Sequence, residues 1–397
     1  MTSIQANVNL GNQMVVDCIP AAARTLHESA LQEDLCQWAR DNLWDVLTES
    51  EIGKIHTAAY GWLACSFWSR SASYQRSLTL LKLMYWFITF DDAIDNSSRM
   101  SSDPTEAESY CALFLDIVFR HGRKSSKTRP ELLKEAKHKH SSSEVLPLRL
   151  GAEWWEDMKR DGMPISQQAR FEAAATEYVM AQVQTVRWNE QLALKGKAPL
   201  LPDSITVRRV AVGAPLCIVA SEYDLGIDLD IDILLDPLVQ ALQAAVSDHV
   251  AWINDILSFP KELRLGEVLN LVCLLPIHNN PCAASGLDPA ALNGNEGGRS
   301  SFGAAACRAW EMTASRHEEC VGLASRIMDS PHLSANPNME DYVRAICSIA
   351  AGNWAWSLKS LLMMAQTIMY FLSPCMIMAL DGYKFLHHYT HLGLEIQ

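Results

Sequence analysis

Two groups of oxygen-bearing side chains have the types and spacing to hold hard divalent cations. Asp91, Asp92 and Asp95 close one apolar run, and Asn254, Ser258 and Glu262 lie in a second. On a helix, residues four apart are about 40° apart around the axis, so Asp91 and Asp95 share a face. Carboxylates crowded in this way repel one another unless a cation neutralises them. Asn254, Ser258 and Glu262 stand at i, i+4 and i+8 and form a single line. An amide, a hydroxyl and a carboxylate together make a cation site of low net charge. Facing each other, the two groups could hold a diphosphate between them. The bland alternative is a solvated turn and a solvated helix face. The flanks argue against it, because Phe87 to Phe90 precede the aspartates and Val250, Trp252, Ile253, Ile256, Leu257 and Phe259 surround the trio. A polar line inside an apolar helix needs a partner.

The elements carrying these groups read as helices. Leu78 to Phe90 is apolar nearly all round, as a central helix would be. Apolar residues recur at helical intervals at Trp38, Leu43, Trp44 and Leu47, and again at Ala58, Trp62, Cys65 and Trp68. Helical pattern also covers 148–188, 233–259, 304–329 and 339–360, with Asp203 or Ser204 capping a further helix. Pro260 removes one helical hydrogen bond and is expected to bend its helix. Residues 1–20 read as a flexible N-terminal arm, 120–143 as a polar loop or insertion, and 279–300 as a turn-rich loop. With no repeat and no convincing strand, the fold class is all-α.

Composition narrows the function. The net charge of −13 offers no basic footprint, which excludes nucleic acid as a partner. Eleven scattered cysteines without a CxxC pair fit reduced thiols of a cytoplasmic protein rather than a disulfide or zinc framework. The N-terminus lacks the basic flank and apolar stretch of a secretory signal. Leu361 to Leu380 carries no charge and could span a bilayer by length. Gln366, Thr367, Ser373 and Pro374 within it favour a buried helix, so no stable membrane span is expected.

The string Asn254-Asp255-Ile256-Leu257-Ser258-Phe259-Pro260-Lys261-Glu262, preceded at this distance by Asp91-Asp92-Ala93-Ile94-Asp95, resembles the motif pair of class I terpene cyclases, specifically the fungal and bacterial sesquiterpene type. Gly266 to Val272 looks like the family's continuation, and the likeness covers residues from about 60 to 360. It implies a single-domain antiparallel helical bundle over 21–360 around a central active-site cavity. It also implies three Mg²⁺ ions held by Asp91, with Asp92 and Asp95 in weaker roles, and by Asn254, Ser258 and Glu262. Lys261 would touch the diphosphate. In Val207-Arg208-Arg209-Val210-Ala211-Val212-Gly213, Arg209 (in preference to Arg208) fits the family's diphosphate-sensing arginine, with Gly213 at a helix break. Phe67, Phe87 and Trp356 are the aromatic candidates for the substrate pocket.

The implied reaction is Mg²⁺-dependent ionisation of a linear allylic diphosphate, farnesyl diphosphate first, to a cyclic sesquiterpene by a monomer or homodimer. In the family an Arg-Tyr pair follows a tryptophan by six and seven residues. Counting from Trp356, Leu362 and Met363 stand there instead, and 361–397 reads as an atypical hydrophobic tail. That departure keeps a catalytically impaired isoprenoid-diphosphate-binding protein open as an alternative. A chain-elongating prenyltransferase, the other rival, should carry a second aspartate-rich motif.

Overall fold

The apolar periodicity of the chain is realised as helix throughout, and no strand occurs among the described residues. The computed structural model describes residues 21–58, 60–69, 71–119, 126–265, 267–279 and 296–368. In chain order the helices are α1 (Ala21–Asn42), α2 (Glu49–Thr57), α3 (Tyr60–Phe67), α4 (Tyr74–Asp95), α5 (Pro104–Val118), α6 (Arg129–Lys139), α7 (Ser142–Arg160) and α8 (Ile165–Lys195). There follow α9 (Leu201–Ala211), α10 (Ala214–Leu225), α11 (Ile231–Leu234), α12 (Pro237–Leu265), α13 (Leu271–Asn279), α14 (Glu296–Asp329), α15 (Pro331–Ser334) and α16 (Met339–Ile368).

Helix α4 is the central element. Its apolar circumference leaves every residue from Thr79 to Trp86 buried, together with Phe90, Ala93 and Ile94. Helices α1, α3, α7 and α10 pack around it. Its one interior charge, Lys82, meets Asp157 of α7 at 2.7 Å and lies 4.3 Å from the Trp38 ring centre. Burying a lone ammonium would cost several kcal/mol, so this pairing is a condition of placing lysine there. At its start, Ser73 accepts a hydrogen bond from the Arg76 N–H. Its last turn carries Asp91, Asp92 and Asp95.

A smaller core, separate from the main one, supports the second motif. Trp252 and Ile256 of α12 pack there with Val268, with Val272 of α13, and with Phe302 and Ala309 of α14. Between α9 and α10 the chain turns through Gly213 at φ 80°, a left-handed conformation that favours glycine.

Several boundaries differ from those the pattern predicts. Residues 120–143 are not simply a loop, since α6 occupies Arg129–Lys139. Glu131 accepts from the Thr128 N–H at 2.7 Å, Leu132 and Ala136 are buried, and Arg129 pairs with Glu156 at 2.7 Å. The basic composition thus serves contacts to the bundle. Helix α9 begins after Leu200, ahead of the expected caps Asp203 and Ser204. Helix α12 runs past Pro260 to Leu265, and α16 runs past Ser360 to Ile368. Residues 1–20, 120–125, 280–295 and 369–397 lie outside the described residues, and with them the arm, most of the turn-rich loop and most of the hydrophobic tail. Among the described residues, only Leu201–Leu225 has the length and composition to cross a membrane, and half of its apolar window is buried in the bundle. The eight described cysteines form no disulfide among themselves.

Candidate active site

Asp91 and Asp95 lie in the last turn of α4, in reach of solvent yet with enough protein around them to desolvate their carboxyls. The surrounding protein raises the Asp91 carboxyl above the ordinary carboxylate range. The Arg208 charge pulls it back, while Asp92, Glu262 and Glu267 push it up further. Asp95 is raised as well, by burial first, then by Asp91, Glu267 and Asp92. The two acidic groups are far apart in the chain, yet their charges act on one another across a common space. Asp92 lies at the rim, exposed and accepting from the Asn96 side chain at 3.2 Å.

On α12, Asn254, Ser258 and Glu262 are half-buried along one face. The Asn254 Oδ1 accepts from Arg208 Nη2 at 2.5 Å. Glu262 Oε2 accepts from Asn270 Nδ2 at 2.8 Å. Ser258 Oγ is buried and makes no hydrogen bond among the described residues. Asp255, the neighbour of Asn254, is no part of the open line. It is 2% exposed, and its two oxygens accept from Arg208 Nε at 2.8 Å and from the Leu271 N–H at 2.9 Å. The donor set suits a hard divalent ion: oxygens on both helices, a hydroxyl with no partner among the described residues, and carboxyls raised by burial and then by neighbouring negative charge, which a cation would offset.

The structure places Arg208, not Arg209, between the two groups. Arg208 feels Asp255, Glu262 and Asp91, which raise its pKa against the opposing effect of burial. Arg209 instead grips Asp248 through Nε at 2.7 Å and Nη2 at 2.9 Å, and Arg316 of α14 joins the same carboxylate at 3.0 Å. Asp248 sits about two helical turns before Asp255 on α12. Consecutive residues on α9 point about 100° apart, so only one arginine of the pair reaches the acidic clusters.

A sequence model described as "Terpene synthase family 2, C-terminal metal binding" matches residues 82–283, which is half the chain and contains both acidic groups, Arg208 and Asn270. The chain belongs to terpene synthase family 2.

Known proteins resemble this terpene synthase over varying lengths. Microbial Terpene synthase-like protein 13 of Selaginella moellendorffii is 21% identical over 332 residues, covering 82% of this chain and 80% of its own. Alpha-muurolene synthase of Coprinopsis cinerea is 31% identical over 148 residues, 37% of this chain and only 34% of that protein. The fold is that of 2-methylisoborneol synthase from Streptomyces coelicolor A3(2), crystallised with Mg²⁺ and 2-fluoroneryl diphosphate. The TM-score is 0.68 at 16% identity, over 88% of this chain and 94% of that one. An a-eudesmol synthase structure gives a TM-score of 0.59 at 19% identity, over 84% and 95%.

The aromatic candidates fall in different settings. Phe87 is half-buried one turn before Asp91, and a Cβ on Gly213 would fall 2.7 Å from its ring. Tyr178 meets it edge-on at 5.1 Å, so Phe87 and Gly213 form one wall beneath the aspartates. Phe67 and Trp356 belong to α3 and α16, which pack closely at Ser66 and Gly352. No described contact joins either ring to the acidic clusters. Lys261 is exposed beside Glu267, whose carboxyl is raised by burial and Glu262 and lowered by Lys261.

Three residues make contacts or exert charge at the site without having been assigned a role from the motifs: Arg208, Glu267 and Asn270. Only Asn270 had a signal of its own. A buried asparagine at a helix start, whose Oδ1 accepts from the Val272 N–H at 2.8 Å, has its amide left to hold something else.

Proposed function

We propose that this terpene synthase ionises a linear allylic diphosphate, farnesyl diphosphate, in a Mg²⁺-dependent reaction and releases a cyclic sesquiterpene and diphosphate. One observation carries the reading: the Ser258 hydroxyl, without a partner among the described residues, on the helix face of Asn254 and of Glu262, whose charge acts on Asp91. Asp91, Asp95, Asn254, Ser258 and Glu262 would hold the metal, with three ions expected from the family resemblance. Bound there, Mg²⁺ supplies Lewis-acid stabilisation of the charge that develops on the leaving group.

The chain's own residues do the rest. Asn270 orients Glu262. Arg208 takes the sensing role first expected of Arg209 and contributes a forked donor to the departing diphosphate, with Lys261 at the rim. The allylic C–O bond breaks with both electrons passing to oxygen, a distal double bond of the chain attacks the allylic cation to close a ring, and loss of one proton to the released diphosphate gives a neutral cyclic hydrocarbon. The Phe87 ring, fixed against Gly213, offers its face to the cation at about 0.5–2 kcal/mol.

The test is incubation of the purified protein with Mg²⁺ and C10, C15 or C20 allylic diphosphates, followed by analysis of volatiles. A cyclic C15 product that disappears with chelator is expected. In the same assay Asp91→Ala and Asn254→Ala lower kcat/KM by at least ~100-fold with helix content unchanged. No product from any of the three substrates would overturn the proposal.

A further inference from the structure

Helix α6 carries a charge opposite in sign to that of the molecule. Between Lys127 and His140 five lysines and arginines and two histidines stand against two glutamates, in a chain whose net charge is −13. Only part of that charge serves the bundle. On the inner face Leu132 and Ala136 are buried, and Arg129 donates to the carbonyls of Ile117 at 2.8 Å and Val118 at 3.1 Å besides pairing with Glu156. Lys134, Lys137 and His138 share the opposite face at helical spacing, and Lys139 ends the helix; all four are exposed. Lys134, His138 and Lys139 make no ion pair among the described residues. Lys137 reaches Asp45, in the turn between α1 and α2, at 2.5 Å, and Arg149 of α7 grips the same carboxylate. The residue before it, Trp44, is 75% exposed and is the one tryptophan of twelve, all of them described, that lies in the open. Leu43 and Leu47, both buried, fix that turn on the bundle beneath it.

We infer that the outer face of α6, together with Trp44, is a docking surface for an anionic lipid bilayer, on which the protein rests without any segment crossing it. Charge complementarity decides the occupant. Arg129 and Arg149, whose forks would recognise a single phosphate or carboxylate, are turned onto Glu156 and Asp45. What faces outward is ammonium and imidazole, compact charges that each add their own attraction to a diffuse layer of anionic headgroups. An indole one residue from the carboxylate that Lys137 holds suits the same boundary, with its apolar body in the headgroup region and its N–H still wet. The acidic remainder of the molecule is repelled by such a surface, so this side alone is presented to it. The inference concerns where the molecule sits and does not depend on the reaction proposed above.

The experiment sediments the full chain with vesicles of phosphatidylcholine, alone or with about 30% phosphatidylserine. Binding to the anionic vesicles only, released as salt is raised, is expected. Lys134→Gln/Lys139→Gln should weaken it roughly tenfold or more, and Trp44→Ala roughly fivefold. These side chains are exposed, so both variants should keep the wild-type circular dichroism and Tm. Equal binding to the two vesicle types, or no binding to either, overturns the inference. So does undiminished binding in either variant, which would assign the lipid affinity to another part of the chain. Two other occupants are read with the same proteins. A dimer in sedimentation equilibrium that Lys134→Gln/Lys139→Gln dissociates gives this face to a second copy. Heparin bound more tightly than the anionic vesicles, with Trp44→Ala without effect, gives it to an acidic macromolecule. Either result overturns the lipid assignment.

Discussion

Asn270 has the most to do with the fewest atoms. Its Nδ2 bridges the Asp255 carbonyl at 2.7 Å and Glu262 at 2.8 Å, while its Oδ1 caps α13. Asn270→Ala should weaken Mg²⁺ binding by ~10–100-fold, read as a raised metal requirement in steady-state turnover, while substrate length preference stays fixed. The arginine pair gives a sharper contrast. Arg209→Gln removes two charge-assisted bonds to Asp248 but leaves Arg316 there. It should cost about 1–3 kcal/mol in denaturant unfolding and preserve kcat. A large loss of kcat in that variant would return the sensing role to Arg209. At this scale spacing alone places Asn254, Ser258 and Glu262 on a shared helix face. It did not separate Arg208 from Arg209, because which neighbour meets Asn254 and Asp255 and which meets Asp248 depends on how α9 crosses α12, a tertiary fact that no local pattern contains.

Helix α4 shows how an element is made to deliver its last turn. A nearly all-apolar helix has no preferred face, so rotation about its axis must be set by something other than hydrophobicity. Lys82 sets it: the ammonium finds Asp157 and the Trp38 ring in one orientation only. Lys82→Met should destabilise the protein by about 3–5 kcal/mol, because it leaves the Asp157 carboxylate buried beside only the largely exposed Arg160. Lys82→Met/Asp157→Leu should recover part of that loss in the same unfolding titration. Recovery is absent if Lys82 acts independently of Asp157. The apolar run of α4 was legible directly, and so was α12. Helix α6 was not, since its signal was two buried positions and a cap set in a strongly basic stretch, where composition argues for solvation.

Across the molecule, the long helices and their order follow from periodicity, and the likeness of fold to the 2-methylisoborneol synthase structure at 16% identity shows how little sequence that order requires. One interior pair sets a pH response for the whole bundle. His249 of α12 and His317 of α14 lie with ring centres 5.6 Å apart, near the Asp248, Arg209 and Arg316 group. Burial, then the neighbouring His317, pushes the His249 pKa from 6.5 down to about 3. Below pH 6.5 the unfolded chain therefore binds a proton that the folded chain refuses, so stability falls as pH drops from 6.5 toward 3. His249→Leu should flatten that part of a Tm-against-pH curve and leave the region above about pH 7 unchanged. A curve parallel to wild type would assign the acid sensitivity to the carboxylates instead.

Adjacent arginines on α9 divide two duties within one dipeptide. Arg209, clamped with Arg316 on the deep carboxylate of Asp248, ties α9 to α12 and α14. The diphosphate contact proposed for Arg208 would thus be made from a helix tied down one residue away.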